Sequence, residues 1–476
     1  MQNAFKEGNN NQIEKNKQVL DFILERSKEL GSEMIENYKD FHENPELGGE
    51  EFETAKKVVN YLESLGIEIV GKGIGSSGTK GKGASIVARI KSGEDGPTIA
   101  LRADMDALPM EESENNELRS KKEGVMHGCG HDVHTAGLMG AAKIIKEMAD
   151  QGKLKGNALF FFQSSEEKAH QKESGAVQII KFLEKNGLRK DIDAFLGLHV
   201  FSQLERGQVQ LKEGTQLASS GEIDIILKAP GGHILNVYET PSLQRIFSKL
   251  TLRLEEIFKP MYEKEEALVG SARPEYDVAR KKKMLEEIKK MAESNKNFDL
   301  SKVDWEKIKA GYNVLPTDGE ATWVVRVTSP NYKKVSKNIV KEMEMVVKEV
   351  ISEEKDAEKV NVEIKKRPGY RPVVHRNPEL VKVASESADE VIENYEQVEK
   401  ILMGGEDFSF YLEKFRDKEI PGVFALVGGA NPDKGYPKCP HHNPKFKIDP
   451  DAIKDLAAIY SNFTVKAIDY YNKKDK

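Results

Sequence analysis

From Leu30 to Gly66 the chain reads LGSEMIENYKDFHENPELGGEEFETAKKVVNYLESLG, with apolar positions recurring every three or four residues on either side of a Pro/Gly turn. That period predicts two amphipathic helices flanking the turn. The pattern then changes to short apolar runs bounded by turn residues: ASIVARI, TIALRA, NALFFFQ, DAFLGLHV and, far downstream, GVFALVG. Runs of this length without alternation fit strands buried on both faces. Helical stretches such as TAGLMGAAKIIKEMAD lie between them, and strands alternating with helices predict an α/β domain with a largely parallel sheet.

Between about Lys212 and Arg367 a period of two appears instead. SGEIDIILKAP and TWVVRVTS alternate as half-exposed strands, joined by long helical segments rich in Lys and Glu. The expectation is a smaller α+β domain, residues 212–367, inserted into a discontinuous domain made of residues 1–211 and 368–476. Within the insert, residues 255–310 are unusually polar and read as a solvated helical insertion without chemistry, dispensable for folding.

Composition narrows the classes. A chain of 476 residues, 38% of them hydrophobic, is long enough for two buried cores. The net charge is -6 and no Lys/Arg cluster is interleaved with aromatics, so nucleic acid is not an expected partner. No apolar stretch approaches the roughly 18 residues of a membrane span, and MQNAFKEGNNNQIEKNK lacks the apolar core of a secretory signal. A cytoplasmic protein is the expectation, with no membrane partner. Its two cysteines, Cys129 and Cys439, would there be thiols free to bind metal.

In open α/β sheets ligands gather beyond the carboxyl ends of the strands. The chemistry-bearing residues of this chain fall there: TIALRA runs into Asp104 and Asp106, NALFFFQSS into Glu166 and Glu167, DAFLGL into His199, and FALVGG precedes a loop containing PHHNPKF. In GVMHGCGHDVHTAG, residues 124–137, Cys129 and His131 occupy a loop-to-helix junction. Thiolate, imidazole and carboxylate together are the ligand set of a divalent transition metal in a hydrolytic site. Cys129 has no C-x-x-C partner, which argues against a zinc finger and for an open catalytic site.

The strings LRADMDALPM, GVMHGCGHDVHTA, FFQSSEE, LGLHV, GGEDFSFY and HHNPKF resemble the successive motifs of the metal-dependent amidohydrolase and carboxypeptidase family, which includes aminoacylases, hippurate hydrolases and auxin-conjugate hydrolases. The resemblance spans residues 30–470 apart from the polar stretch. It implies a metallopeptidase-like α/β catalytic domain with an inserted ferredoxin-like α+β lid or dimerisation domain. It implies two divalent metal ions per subunit, zinc, manganese or cobalt, with Cys129, His131, Glu167, His199 and His442 as ligands and His441 as a neighbour. Glu166 matches the family's general base, and Asp104 and Asp106 match an acidic pair that orients the metal-site residues; strand-end capping is the alternative for Asp104. His127 and His134 flank the ligands as packing or orienting residues, and for Glu406 and Asp407 structural and catalytic roles both stay open.

In the inserted domain, His233 of PGGH, Asn313 of NVLP and Arg326 match substrate contacts that family members often supply from a partner subunit, so the resemblance extends to a homodimer. The match departs here: GGH continues as ILNVYETP instead of two alanines, and the strand expected before NVLP is replaced by the polar segment. Specificity and the role of His233 do not transfer across that departure. The expected function is hydrolysis of the amide bond of an N-acyl amino acid or related small amide by metal-activated water. A carboxypeptidase or dipeptidase acting on short peptides is the rival enzyme. A non-catalytic metal- or ligand-binding module on the same fold is the rival from another class, and retention of Glu166 with every expected ligand weighs against it.

Overall fold

The computed structural model describes residues 2–75, 83–93, 95–168, 174–271, 274–294, 313–413 and 420–474. The chain separates into two units, one of Met1–Gln216, Val373–Leu402 and Glu406–Lys476, the other of Leu217–Pro372 and Met403–Gly405.

The first unit carries an eight-stranded sheet. Its strands are β1 (Glu68–Ile74), β2 (Ser85–Lys91), β3 (Thr98–Asp104), β4 (Asn157–Gln163), β5 (Ala194–Glu205), β6 (Gln208–Gln210), β16 (Glu396–Val398) and β17 (Gly422–Ala430), in the spatial order β1-β2-β4-β3-β5-β17-β6-β16. A separate pair joins β7 (Gly214–Leu217) to β15 (Val373–His375). The four central strands β4, β3, β5 and β17 are parallel. β3 and β17 are buried along their whole lengths, as two-face coverage requires. β2, the ASIVARI run, differs: it is antiparallel to β4 and to β1, because burial on both faces does not encode strand direction.

Helices α1 (Gln2–Glu29), α2 (Gly31–Glu43), α3 (Phe52–Ser64), α4 (His131–Asp150), α5 (Gly175–Lys185), α9 (Pro378–Asp389) and α10 (Ala452–Lys474) surround this sheet. α4 is buried on all sides, packed against α2, α10 and β3, which is why its sequence is apolar around most of its circumference. No helix among the described residues is long and apolar enough to cross a membrane.

In the second unit the main sheet has the order β10-β13-β8-β14, from β10 (Ala267–Ser271), β13 (Asp318–Val327), β8 (Ser219–Lys228) and β14 (Asn361–Pro368); β11 (Glu275–Tyr276) also pairs with β13. β9 (Gly232–His233) and β12 (Val314–Leu315) form a short ladder of their own. β13 alternates between buried and half-buried residues. Its inner face carries Trp323 into a core with Phe247 and Leu250 of α6 (Leu243–Glu263) and Met343 of α8 (Tyr332–Ser352).

The polar stretch 255–310 is not helical throughout its described residues. Its first residues belong to α6, where Phe258 is in the core; ALVGS is strand β10, antiparallel to β13, and Ala267 is fully buried. Only then does the polar helix α7 (Val278–Ser294) follow, and residues 272–273 and 295–312 lie outside the described residues. Three apolar residues, Ala267, Leu268 and Val269, vanish in the average over a highly charged window, so composition misses the strand.

Candidate active site

The parallel strands deliver the chemistry to one edge of the first unit's sheet. β3 ends on Asp104, β4 leads into Ser165, Glu166 and Glu167, β5 carries His199, and the chain beyond β17 holds His441 and His442. Cys129 precedes α4 and His131 is its first residue. Between them Gly130 has φ 88°, and a Cβ there would lie 2.5 Å from Val200 Cγ1, so this junction needs glycine twice over.

Three overlapping trios among the described residues hold their donor atoms within 4.8 Å of one another: Cys129, His131 and His199; Cys129, Glu167 and His442; His131, Glu166 and Glu167. Shared members join them into one cluster. Nδ1 of His131 faces the Asp106 carbonyl oxygen at 2.8 Å, and Nδ1 of His199 faces that of Val200 at 2.7 Å. A carbonyl only accepts, so both rings carry a proton on Nδ1, which leaves Nε2 as the atom each turns to the cluster. The Nε2 of His131 is buried without a hydrogen-bond partner, and that of His199 lies 3.4 Å from Cys129 Sγ. His442 Nε2 is 3.1 Å from Glu167 Oε1. His441 is differently engaged: its Nε2 accepts the Ser202 N–H at 3.3 Å, its ring stacks on Phe201, and its Nδ1 is 3.7 Å from Cys129 Sγ.

Asp106 holds the turn after β4, its carboxylate accepting the N–H of Glu166 at 3.1 Å and of Glu167 at 3.0 Å. Asp104 lies one layer deeper, bonded to His134 Nδ1 and to Arg102 Nη1, both at 2.6 Å. His134 Nε2 accepts the Val200 N–H at 2.8 Å. Asp104, His131 and His134 also approach within 4.8 Å, but the partners of Asp104 and His134 leave that trio little to offer a cation. His127 is buried with neither nitrogen hydrogen-bonded, and burial lowers its pKa to about 4.

Arg102 is the functional neighbour that the sequence reading passes over. It is fully buried and donates to Gln163, Asp104, Glu406 and Asp407. Asp407 also accepts from Gln163, Ser174 and the Ala176 N–H, and its own N–H faces Glu166 Oε1 at 3.4 Å. The available signal was a lone charge inside the apolar run TIALRAD, which demands buried partners. Burial, reinforced by the carboxyls of Glu406, Glu167 and Asp407, pushes Glu166 well above the usual carboxylate range. Burial also acts to raise Asp104, but Arg102, His131 and His134 outweigh it and hold Asp104 well below that range. Glu406 is pushed up to about 8 by burial against the pull of Arg102.

Of the residues expected in the second unit, His233 and Asn313 come together. His233 pairs with Val314 across the β9–β12 ladder, and the Ile234 N–H donates to the Asn313 carbonyl at 2.9 Å. His233 is exposed. Arg326 lies on the other sheet of the unit, opposite Ser220 and Leu268 on β13, half-buried and without an ion pair among the described residues. Burial lowers its pKa.

The model of peptidase family M20/M25/M40 matches residues 100–466. Among curated relatives, N-acetylcysteine deacetylase of Bacillus subtilis (strain 168) is 29% identical over 443 residues, covering 92% of this chain and 97% of that protein. Thermostable carboxypeptidase 2 of Saccharolobus solfataricus is 28% identical over 446 residues, covering 92% and 96%. The crystal structure of the Bacillus subtilis YXEP protein, described as a dinuclear metal binding peptidase from the M20 family, matches with TM-score 0.67 at 26% identity, covering 93% of this chain and 99% of that one.

Proposed function

The chain belongs to peptidase family M20/M25/M40, and from that premise we propose that it is a metal-dependent hydrolase cleaving the amide bond of N-acyl amino acids or related small amides. The observation that carries this reading is a buried carboxyl, Glu166, beside a cluster of thiol, imidazole and carboxylate donors in which the buried His131 Nε2 makes no hydrogen bond. That donor set fits divalent transition metals: Cys129, His131, Glu167, His199 and His442 would hold two, zinc, manganese or cobalt. Bound there, such ions would lower the pKa of water to about 7 and polarise the scissile carbonyl.

The chain's own groups supply the rest. Glu166 takes a proton from the attacking water and returns it to the leaving amine. Asp106 fixes the ring of His131 and the backbone that carries Glu166 and Glu167. Asp104 orients His134 and lies 3.6 Å from His131 Nε2. Arg326 is assigned to the substrate carboxylate, which a planar guanidinium can grip with two hydrogen bonds. His233 and Asn313 are assigned to the oxyanion. A homodimer and a cytoplasmic setting belong to the same reading, the latter supported by two free thiols.

Likeness to a carboxypeptidase supports a second reading, release of a C-terminal residue from short peptides. Both substrates set an amide beside a carboxylate, so profiling acyl group against peptide length separates them. The test of the whole reading uses the full-length protein loaded with zinc, manganese or cobalt on a panel of both substrates. Glu166→Gln should lower turnover on the order of 10²-fold or more at unchanged metal content. Equal activity in the variant, or none in the wild type with every metal, overturns the reading.

A further inference from the structure

Glu51 immediately precedes α3, the position from which a side chain ordinarily caps the first helical turn. It does not cap. Glu46 does, its Oε2 accepting from Thr54 N at 2.8 Å and from Thr54 Oγ1 at 2.9 Å, and its Oε1 from Glu53 N at 3.3 Å. Glu51 is thereby released from the helix and turned inward, 0% exposed, where its carboxylate accepts the Ser165 N–H at 2.8 Å while Oε2 has no hydrogen-bond partner. A buried carboxyl with one oxygen unsatisfied is costly, and the helix has no need of it.

Ser165 has φ 58°, a left-handed conformation that a residue with a side chain holds only when its surroundings over-determine it. The next two N–H groups, of Glu166 and Glu167, are taken by Asp106. Two carboxylates thus accept three consecutive N–H groups starting at the one reversed residue that precedes the two side chains. Glu166 reaches Glu406 and Asp407, Glu167 reaches Cys129 and His442, and both approach His131.

We propose that Glu51 is a positioning residue, acting through Ser165 to set the directions of Glu166 and Glu167. This rests on the hydrolase reading for the roles of those two residues. The clamp needs only an acceptor, so its charge is dispensable and its geometry is not.

The test compares variants of the metal-loaded full-length protein. Glu51→Met keeps the volume but removes the acceptor. It should lower kcat on the order of 10²-fold with little change in KM, and weaken metal affinity by about 10-fold in competition with a chromophoric chelator. Glu51→Gln, which can still accept from Ser165, should retain most of both. Adding Ser165→Gly to Glu51→Met should recover part of the loss, since glycine adopts positive φ without strain. Wild-type kcat and metal affinity in Glu51→Met overturn the proposal, as do a Gln variant that falls as far as Met and a loss that Ser165→Gly does not reduce. If Glu51→Met does not fold, Glu51→Leu, which also removes the acceptor, is read in its place against the same outcomes. A wild type that hydrolyses nothing removes the proposed function, while the chelator competition still reads the clamp.

Discussion

Replacing Arg102 by methionine removes a buried guanidinium that donates to Gln163 at 3.1 Å, Asp104 at 2.6 Å, Glu406 at 3.0 Å and Asp407 at 2.8 Å. Methionine fills much of the space, so the cost comes from stranded acceptors rather than from a cavity. The three carboxyls do not suffer equally. Glu406, pushed up to about 8, takes up a proton more readily than an ordinary carboxyl and so tolerates the loss best. Asp407 keeps Gln163, Ser174 and the Ala176 N–H. Asp104 loses the partner that does most to hold its pKa down, and keeps His134. One charge is therefore stranded, and breaking a buried ion pair at one end costs about 3–5 kcal/mol. The folded pKa of Asp104 is depressed below its unfolded value of about 3.9, so the stabilisation is present above that pH and is lost as pH falls through the folded value. The gap between wild type and variant should be widest at pH 7 and should narrow below about pH 4. Urea unfolding of both full-length proteins across that range measures it. A gap below about 1 kcal/mol at pH 7, or one that stays constant with pH, refutes the view that Arg102 neutralises this site.

Cys129→Ala should bind metal more weakly or at lower stoichiometry, because the thiolate joins two of the donor trios; unchanged stoichiometry and affinity by metal analysis remove Cys129 from the ligand set. Burial alone would lower His42, but Asp132 at 2.7 Å and Glu112 at 3.2 Å hold it up at about 10. Its unfolded value is about 6.5, so its stabilisation is complete below that pH and is lost as pH rises through 10. Unfolding free energy should therefore decline over that window in the wild type and less steeply in His42→Gln, and equal slopes sink the idea. Arg326→Ala should show little preference between a substrate carboxylate and its neutral amide, where the wild type shows a strong one; if the two changes simply add in kcat/KM, Arg326 does not read the carboxylate.

The legible part of the site is the part that strand ends carry. Asp104, Glu166 and His199 each lie in or just beyond an apolar run, and a parallel sheet brings such ends together without further information. Glu51 shows what is not legible. In GGEEFET it reads as an ordinary helix start, and its partner Ser165 is 114 residues away, so only the packing reveals that Glu46 has displaced it from the cap. The partners of Arg102 are hidden for the same reason, Glu406 and Asp407 lying more than three hundred residues further along the chain. Strand β10 is lost differently, its five residues diluted by the Lys and Glu on either side. The direction of β2 depends on where its neighbours lie, which apolar periodicity does not record.

The interruption of the first unit by the second sets an order of assembly. Cys129, His131, Glu167 and His199 are synthesised before Leu217, yet β17 and His442 come only after the whole of Leu217–Pro372 has been made. Until then β5 has β3 beside it but lacks its second parallel neighbour, and the trio of Cys129, Glu167 and His442 lacks its last member. A nascent or truncated chain therefore exposes a thiol and a partial set of imidazoles with no means of completing the cluster. On the proposed ligand set, full coordination has to wait for His442, and a nonsense mutation anywhere before residue 442 yields a product that lacks a member of the donor cluster.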